Sequence, residues 1–441
     1  MNSTFVRLLL AFAMSVCVAH AQDSDGEGQD PQSDAGNTPA AKTPEELGET
    51  VDGLGERATL LEGEVEKLKA IKISGYVQTE WQHFDQRSSV GGRALYSDAR
   101  KNLFTIRRGR IKFQHKTSTM SAVLQPDITE RGVVVKDAYA EFYIVPEGEF
   151  TVNVGIFNRP NYEVELSSGT REATERSQVV RAFYPDERDL GVMFSTQQEL
   201  AAGFDPKLQL GIFNGVGTTP ETDPYKDIIT RLTFPLPLGE SSPLQVDLGA
   251  SYYYGGIPQT GDSITETVEG KNRIVFNTET GDFRGFGNKQ NYTVEAQIYL
   301  DLLPIGGTII RGELLDGRRP TAGVAGVKRD TLTFTPAVSA RPLQIRNQRG
   351  FYAYFIQNIG ADLQLVARYD MFDRNTDLAG DQVTRIDDAA VSVLGFGVNG
   401  FIENLRITAF YEIPTVATDE IVAGVGDLKD NKTTIRFQYK F

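Results

Sequence analysis

From Ile71 onward, apolar and polar side chains alternate with a period of two. Ile71, Ile73, Gly75, Val77, Thr79 and Trp81 share one face, with Lys72, Ser74, Gln78, Glu80 and Gln82 mostly on the other. The same alternation returns in Phe150, Val152, Val154 and Ile156, in Leu244, Val246, Leu248, Ala250 and Tyr252, and in Leu363, Leu365, Ala367 and Tyr369. Each run is about 9 to 12 residues, the length at which a tilted strand crosses a hydrocarbon core. Sixteen runs can be marked, at 71–84, 102–115, 119–129, 133–145, 149–157, 189–197, 207–214, 227–235, 244–254, 289–301, 308–315, 348–357, 361–371, 388–398, 404–412 and 432–441.

The gaps between the runs sort by length. Those after even-numbered runs are mostly short (116–118, 146–148, 302–307, 358–360), and those after odd-numbered runs mostly long (85–101, 158–188, 255–288, 316–347, 413–431). Only 130–132 breaks the rule. A transmembrane barrel makes this pattern, with tight turns on one side and long loops on the other; a soluble sandwich has no reason to. In the last run Thr433, Ile435, Phe437, Tyr439 and Phe441 alternate with Thr434, Arg436, Gln438 and Lys440. Pairing that run with the first leaves no sheet edge. The pattern predicts an all-β fold: a 16-stranded antiparallel transmembrane β-barrel over 71–441, in the outer membrane of a Gram-negative bacterium.

Ahead of the barrel the pattern changes. Arg7, the apolar stretch Leu8 to Val18 and Ala19-His20-Ala21 read as a signal peptide over 1–21. Residues 22–44 are acidic and rich in Gly, Pro and Ser, which predicts a disordered acidic linker. Over 45–70, Leu47, Val51, Leu54, Ala58, Leu61, Val65 and Leu68 follow heptad spacing. This predicts a short helix, either a trimeric coiled coil or an amphipathic helix lying on the rest of the chain. Gly48, Gly53, Gly55 and Gly63 each weaken it by about 1 kcal/mol relative to alanine.

Charge and composition then narrow the function. Among 441 residues, 45 Lys and Arg face 59 Asp and Glu, a net −14 that is unsuited to nucleic acid. The one cysteine, Cys17, lies in the signal peptide, so the mature barrel has no disulfide. Enzyme chemistry in a barrel needs a histidine paired with a serine or carboxylate. The mature chain has only His83 and His115, both near strand ends on the lipid-side parity, where an interfacial role fits. With no cysteine and no close histidine pair, neither a metal nor another cofactor is expected.

Several stretches carry a resemblance. They are Gly155-Ile-Phe-Asn-Arg-Pro160, Glu175-Arg-Ser177, Arg188-Asp-Leu-Gly191, Leu210-Gly-Ile-Phe-Asn-Gly215 and Arg231-Leu-Thr-Phe-Pro235. Lys136-Asp-Ala-Tyr139, Val366-Ala-Arg-Tyr-Asp370 and the closing Phe-Gln-Tyr-Lys-Phe also belong to the set. In order and spacing they make residues 71 to 441 resemble the phosphate-selective porin O/P family. The resemblance implies a homotrimer with loops folded into the lumen, and arginines and lysines that guide small anions such as phosphate or polyphosphate.

A sixteen-stranded barrel is wide enough for an aqueous channel, and parity tells which side chains line it. With Gly109, Ile111 and Phe113 on the lipid, Arg108, Arg110 and Lys112 form a vertical cationic row. The same parity turns Arg231, Arg311, Arg368, Arg406, Arg436 and Lys440 inward. The long loop 158–188, the candidate constriction, adds Arg159, Arg171, Arg176, Arg181 and Arg188. Guanidinium groups suit oxyanions, so Arg108, Arg110, Lys112, Arg159, Arg171, Arg176, Arg181, Arg188, Arg311 and Arg368 form the candidate anion path.

Acids balance them. Glu80, Asp137, Glu141, Asp247, Glu295, Asp301, Glu313, Asp362 and Asp370 also point inward, and Arg311 with Glu313 shares one strand face. The loop itself carries Glu163, Glu165, Glu172, Glu175, Asp186 and Glu187, enough for a transverse field with acids on one side and bases on the other. Two other readings therefore stand beside the anion channel: a general, weakly selective porin for small hydrophilic solutes, and a plugged structural or adhesive barrel. Lys136 falls on the lipid parity, where a charge at mid-depth costs about 2–4 kcal/mol. A subunit interface is expected there, and outer-membrane lipid elsewhere.

Overall fold

A computed structural model of the chain describes Arg57 and residues 71–85, 102–145, 149–221, 223–239, 242–258, 263–268, 270–276, 286–322, 343–383, 388–416 and 431–441. The expected signal peptide, linker and heptad helix lie outside these residues, Arg57 excepted. The strands are β1 (Ile71–Phe84), β2 (Asn102–Lys116), β3 (Met120–Thr129), β4 (Gly132–Tyr143), β5 (Phe150–Asn158), β6 (Arg188–Gln197), β7 (Lys207–Phe213), β8 (Asp227–Pro235) and β9 (Leu244–Pro258). They continue as β10 (Ser263–Val268), β11 (Lys271–Phe276), β12 (Phe286–Leu300), β13 (Thr308–Ala322), β14 (Leu343–Ile359), β15 (Leu363–Asp373), β16 (Val391–Ile402), β17 (Leu405–Val416) and β18 (Lys432–Lys440).

Sixteen of these close into an antiparallel barrel, because β9 pairs directly with β12. The other two, β10 and β11, form a hairpin inside the β9–β12 connection, and β10 lies parallel to the first residues of β14. Sequence periodicity had no means of separating that hairpin from a long loop. The expected rule-breaker at 130–132 is a two-residue turn, Glu130-Arg131.

Closure joins the two ends of the barrel. β1 pairs with β18 from Tyr76↔Lys440 to Phe84↔Lys432. Beyond the ladder, Gly75 N donates to Phe441 O at 2.9 Å and Phe441 N to Gly75 O at 3.0 Å. Gly75 makes room for the terminal ring: a Cβ there would stand 2.5 Å from Phe441 Cζ.

Two bulges reset the parity. Opposite Gln78 and Thr79 of β1 stand Arg108 and Ile106, so Arg107 is an extra residue in β2. Opposite Gln125 and Pro126 of β3 stand Asp137 and Val135, so Lys136 is an extra residue in β4. A bulge turns an added residue without breaking the strand, and Pro126, lacking an N–H, suits such an interruption. Lys136 therefore need not face lipid: the charges that act on it are Glu187, Arg110, Arg188 and Asp127.

Outward positions are apolar almost throughout. Val77, Ile106, Phe113, Leu124, Val154, Leu210, Val294, Phe355, Phe396 and Phe437 are all exposed. Tyr369, Tyr411 and Tyr439 also point out, and Tyr252 packs on Tyr292 with ring centroids 5.0 Å apart, as an interfacial girdle requires. His83 stacks on Trp81 at 6.0 Å, and its Nδ1 lies 2.7 Å from Asn102 Oδ1.

Candidate functional site: an inserted loop and the passage beside it

Between β5 and β6 the chain turns into the lumen. Gly155 prepares the turn, with φ +130 and room for no side chain, since a Cβ would sit 2.3 Å from Ala138 O. At the base, Arg159 donates to Asp189 from Nε at 3.0 Å and from a terminal nitrogen at 2.5 Å, and Gly215 N donates to the same carboxylate. Two short helices follow, α1 (Tyr162–Glu165) and α2 (Gln178–Phe183). Asn161 and Ser177 cap them by accepting from Val164 N and Val180 N. Buried Glu163 ties the two together: it accepts from Ser177 N, Ser177 Oγ and Tyr354 Oη.

One face of this loop is apolar. Val164, Ala173, Val179, Val180, Phe183 and Tyr184 pack with Phe213, Ile229, Leu315, Ile356, Val366 and Phe372 of the wall. These wall residues sit at inward parity. This side of the lumen is thus a dry core, stabilised by the same apolar burial that holds a soluble domain together.

The other contacts are polar and run around the wall. Six backbone carbonyls between Ser168 and Glu175 accept from wall side chains in succession. Ser168 O accepts from Gln78 at 3.0 Å, Gly169 O from Gln438 at 3.0 Å and Thr170 O from Arg406 at 3.3 Å. Glu172 O accepts from Asn399 at 3.1 Å, Thr174 O from Arg436 and Glu175 O from Arg368 at 2.8 Å. Ion pairs add Arg231–Glu165 at 2.8 Å, Arg107–Glu175 at 2.6 Å and Arg311–Glu172.

This wiring redistributes the predicted anion path. Arg311 pairs with Glu172 of the loop, while Glu313 accepts from Asn161 and Tyr352, so those two neighbours do not neutralise each other. Arg368 is engaged by Glu175 O and Glu412, and Arg159 by Asp189. Arg171 donates to Leu166 O. All four are buried. Arg181, on α2, is exposed at the long-loop end. The expected segregation of acids and bases is absent as well: Glu165, Glu172 and Glu175 each pair with a wall arginine, and Glu187 lies between Arg176 and Arg188.

Arg108, Arg110, Lys112, Arg176 and Arg188 do come together, along β2, β6 and the end of the loop. Arg108 donates to Gln78 and lies 3.7 Å from Glu175; Arg110 pairs with Asp127 at 3.2 Å. Arg176 pairs with Glu187 at 2.8 Å, and Arg188 with Asp137 at 2.7 Å and Glu187 at 2.6 Å. Arg107, turned inward by the bulge, joins them; sequence parity had left it out. Toward the short-turn end this group opens into a cavity of about 530 Å³, lined on one side by Arg110, Lys112, Asp137, Arg188 and Lys440 and on the other by Glu165, Leu166, Ser167 and Ser168. Lys112 and Lys440 have no carboxylate partner among the described residues.

Burial works against ionisation of Glu187, yet Arg176, Arg188 and Arg110 hold its carboxyl well below the usual range. Arg107 and Arg108 outweigh burial at Glu175 in the same way. Each carboxyl is therefore ionised in the folded loop at a lower pH than in the unfolded chain. Their stabilisation is complete above the ordinary value of 4.5 and is lost only as pH falls through the depressed one. The ion pairs of these two carboxyls will accordingly persist between about pH 8 and 5, and E175Q and E187Q will lower the urea midpoint equally at both ends of that range.

No family model matches the chain, and no curated protein does. Solved structures share its architecture. OmpF of Salmonella typhi, solved with daunomycin, is 11% identical with a TM-score of 0.50, covering 84% of this chain and 97% of that one. The anion-selective porin from Comamonas acidovorans is 10% identical (TM-score 0.49, 84% and 99%), and the channel DcaP of Acinetobacter baumannii is 11% identical (TM-score 0.48, 84% and 97%). At such identities the likeness speaks for fold alone, and the fold is the closed sixteen-stranded antiparallel barrel.

Proposed function

We propose that the protein is an outer-membrane diffusion channel for small anions, conducting between the inserted loop and the β1–β6 wall. One observation carries the reading. Along this passage the carboxylates Asp127, Asp137, Glu175 and Glu187 are each paired with arginine, whereas Lys112 and Lys440 are not paired with any described carboxylate. Set against Glu141 of β4, which among the described residues accepts only from Tyr143, the two lysines leave a surplus of one positive charge, and point charges on flexible stems hold an anion without trapping it. Phosphate and polyphosphate, which the family resemblance implies, fall in this class. The double variant K112Q/K440Q will move the zero-current potential in a KCl gradient toward zero; an unchanged potential would place the selectivity elsewhere.

A homotrimer belongs to this reading. Asn102 and Phe104 of β2 have no ladder partner on the β3 side, and Gly132–Lys136 of β4 none on the β5 side, among the described residues. Phe104, Val133 and Val135 nevertheless face outward. Lipid tails cannot satisfy open backbone groups, so a neighbouring copy is the natural cover. The plugged barrel is the second reading, favoured by the hydrogen bonds that tie the loop to the wall on nearly every side. Absence of any conductance would select it.

A further inference from the structure

The cavity beside the loop is larger and greasier than an inorganic anion requires. Its volume of about 530 Å³ falls in the range of small-molecule sites. Tyr76, Tyr139, Phe157, Leu166 and Met193 contribute to its lining next to the cations. Tyr76 is fixed there: its hydroxyl is 2.6 Å from Ser168 Oγ, and the Arg110 guanidinium lies 5.9 Å from its ring centroid. Lys112 and Lys440 flank it, because Ser74 of β1 is opposite Lys112 and Tyr76 opposite Lys440. Strand spacing places the two lysine backbones about 10–12 Å apart. Phosphate gains nothing from aromatic and thioether surface, and the guanidinium forks that suit it are occupied by Asp127, Asp137 and Glu187.

We infer that this cavity binds organic carboxylates with an apolar or aromatic body, the carboxylate meeting Lys112 or Lys440 and the body lying against Tyr76 and Phe157. The inference deepens the channel reading, since the site lies on the proposed passage, but binding can be measured without conduction. Isothermal titration of the full-length protein in detergent with benzoate, benzene-1,3-dicarboxylate, acetate and inorganic phosphate tests it. The two aromatic carboxylates will bind at least tenfold more tightly than acetate or phosphate. K112Q/K440Q will lose at least tenfold for them, and K116Q, on the same strand but stacked over Tyr143 outside the cavity, will lose nothing. Phosphate binding as tightly as benzoate, no binding of any probe, or an unchanged K112Q/K440Q variant would each overturn the site. Planar-bilayer recordings separate the two ideas: conduction without aromatic binding leaves the channel and removes the site, and binding without conduction does the reverse.

Discussion

Replacing residues 162–186 with a short glycine–serine bridge will raise single-channel conductance several-fold. The wall does not depend on the loop for closure: β5 and β6 pair directly from Phe150↔Thr196 to Asn158↔Arg188, and β1 with β18 independently. The loop, however, supplies apolar side chains to the luminal core and six carbonyls to the polar side chains of the wall. Without it, a sixteen-stranded barrel has an open lumen, and conductance rises by roughly five-fold or more with cross-section. Selectivity will change too, because Arg107 loses Glu175 and Arg311 loses Glu172. Heat-modifiable gel mobility will show that the barrel still folds. Unchanged conductance in a folded variant would mean that ions never passed beside the loop.

The largest single-residue loss of stability is expected at the base of the loop. Arg159 and Asp189 are 2% and 0% exposed, and their pair is reinforced by Gly215 N. Asp189→Ala leaves a guanidinium buried without its counter-charge, which costs about 3–5 kcal/mol. Asp189→Asn keeps an acceptor and will cost less. The exposed pair Arg131–Glu130, at 3.8 Å on the β3–β4 turn, is the contrast: removing it will change stability by less than about 1 kcal/mol. Urea unfolding in lipid vesicles measures all three. Equal effects from the buried and exposed pairs would contradict the assignment of the loop base as a dry anchor.

The sequence makes the barrel legible because closure imposes a rule at every residue. Alternation marks the outward face, loop length alternates with it, and the last run ends on an aromatic that meets Gly75. The loop 158–188 also stands out, by length alone, as the element to fill the lumen. What escapes such reading has definite causes. A bulge adds one residue without disturbing the alternation on either side, so parity alone leaves Arg107 unassigned and gives Lys136 a lipid face it need not have. Partner choice depends on the folded loop, so Arg311 and Glu313 looked paired along their strand although each takes a loop residue.

One further signal was present. Ile229, Leu315, Ile356, Val366 and Phe372 lie at inward parity, where a water-filled lumen has no use for them. Matched with Val179, Val180 and Phe183 of the loop, they mark the side of the barrel that is packed shut. In the proposed channel the passage lies on the remaining side, beside the arginine-rich faces of β2 and β6. Of the ten residues of the predicted anion path, Arg108, Arg110, Lys112, Arg176 and Arg188 gather there. The remaining arginines serve chiefly to fasten the loop, apart from the exposed Arg181.

The most direct test of this account is the zero-current potential of the purified wild-type protein in a planar bilayer under a tenfold KCl gradient. Paired carboxylates and two unpaired lysines along the passage predict a potential on the chloride side. A potential at zero, or on the potassium side, would contradict it.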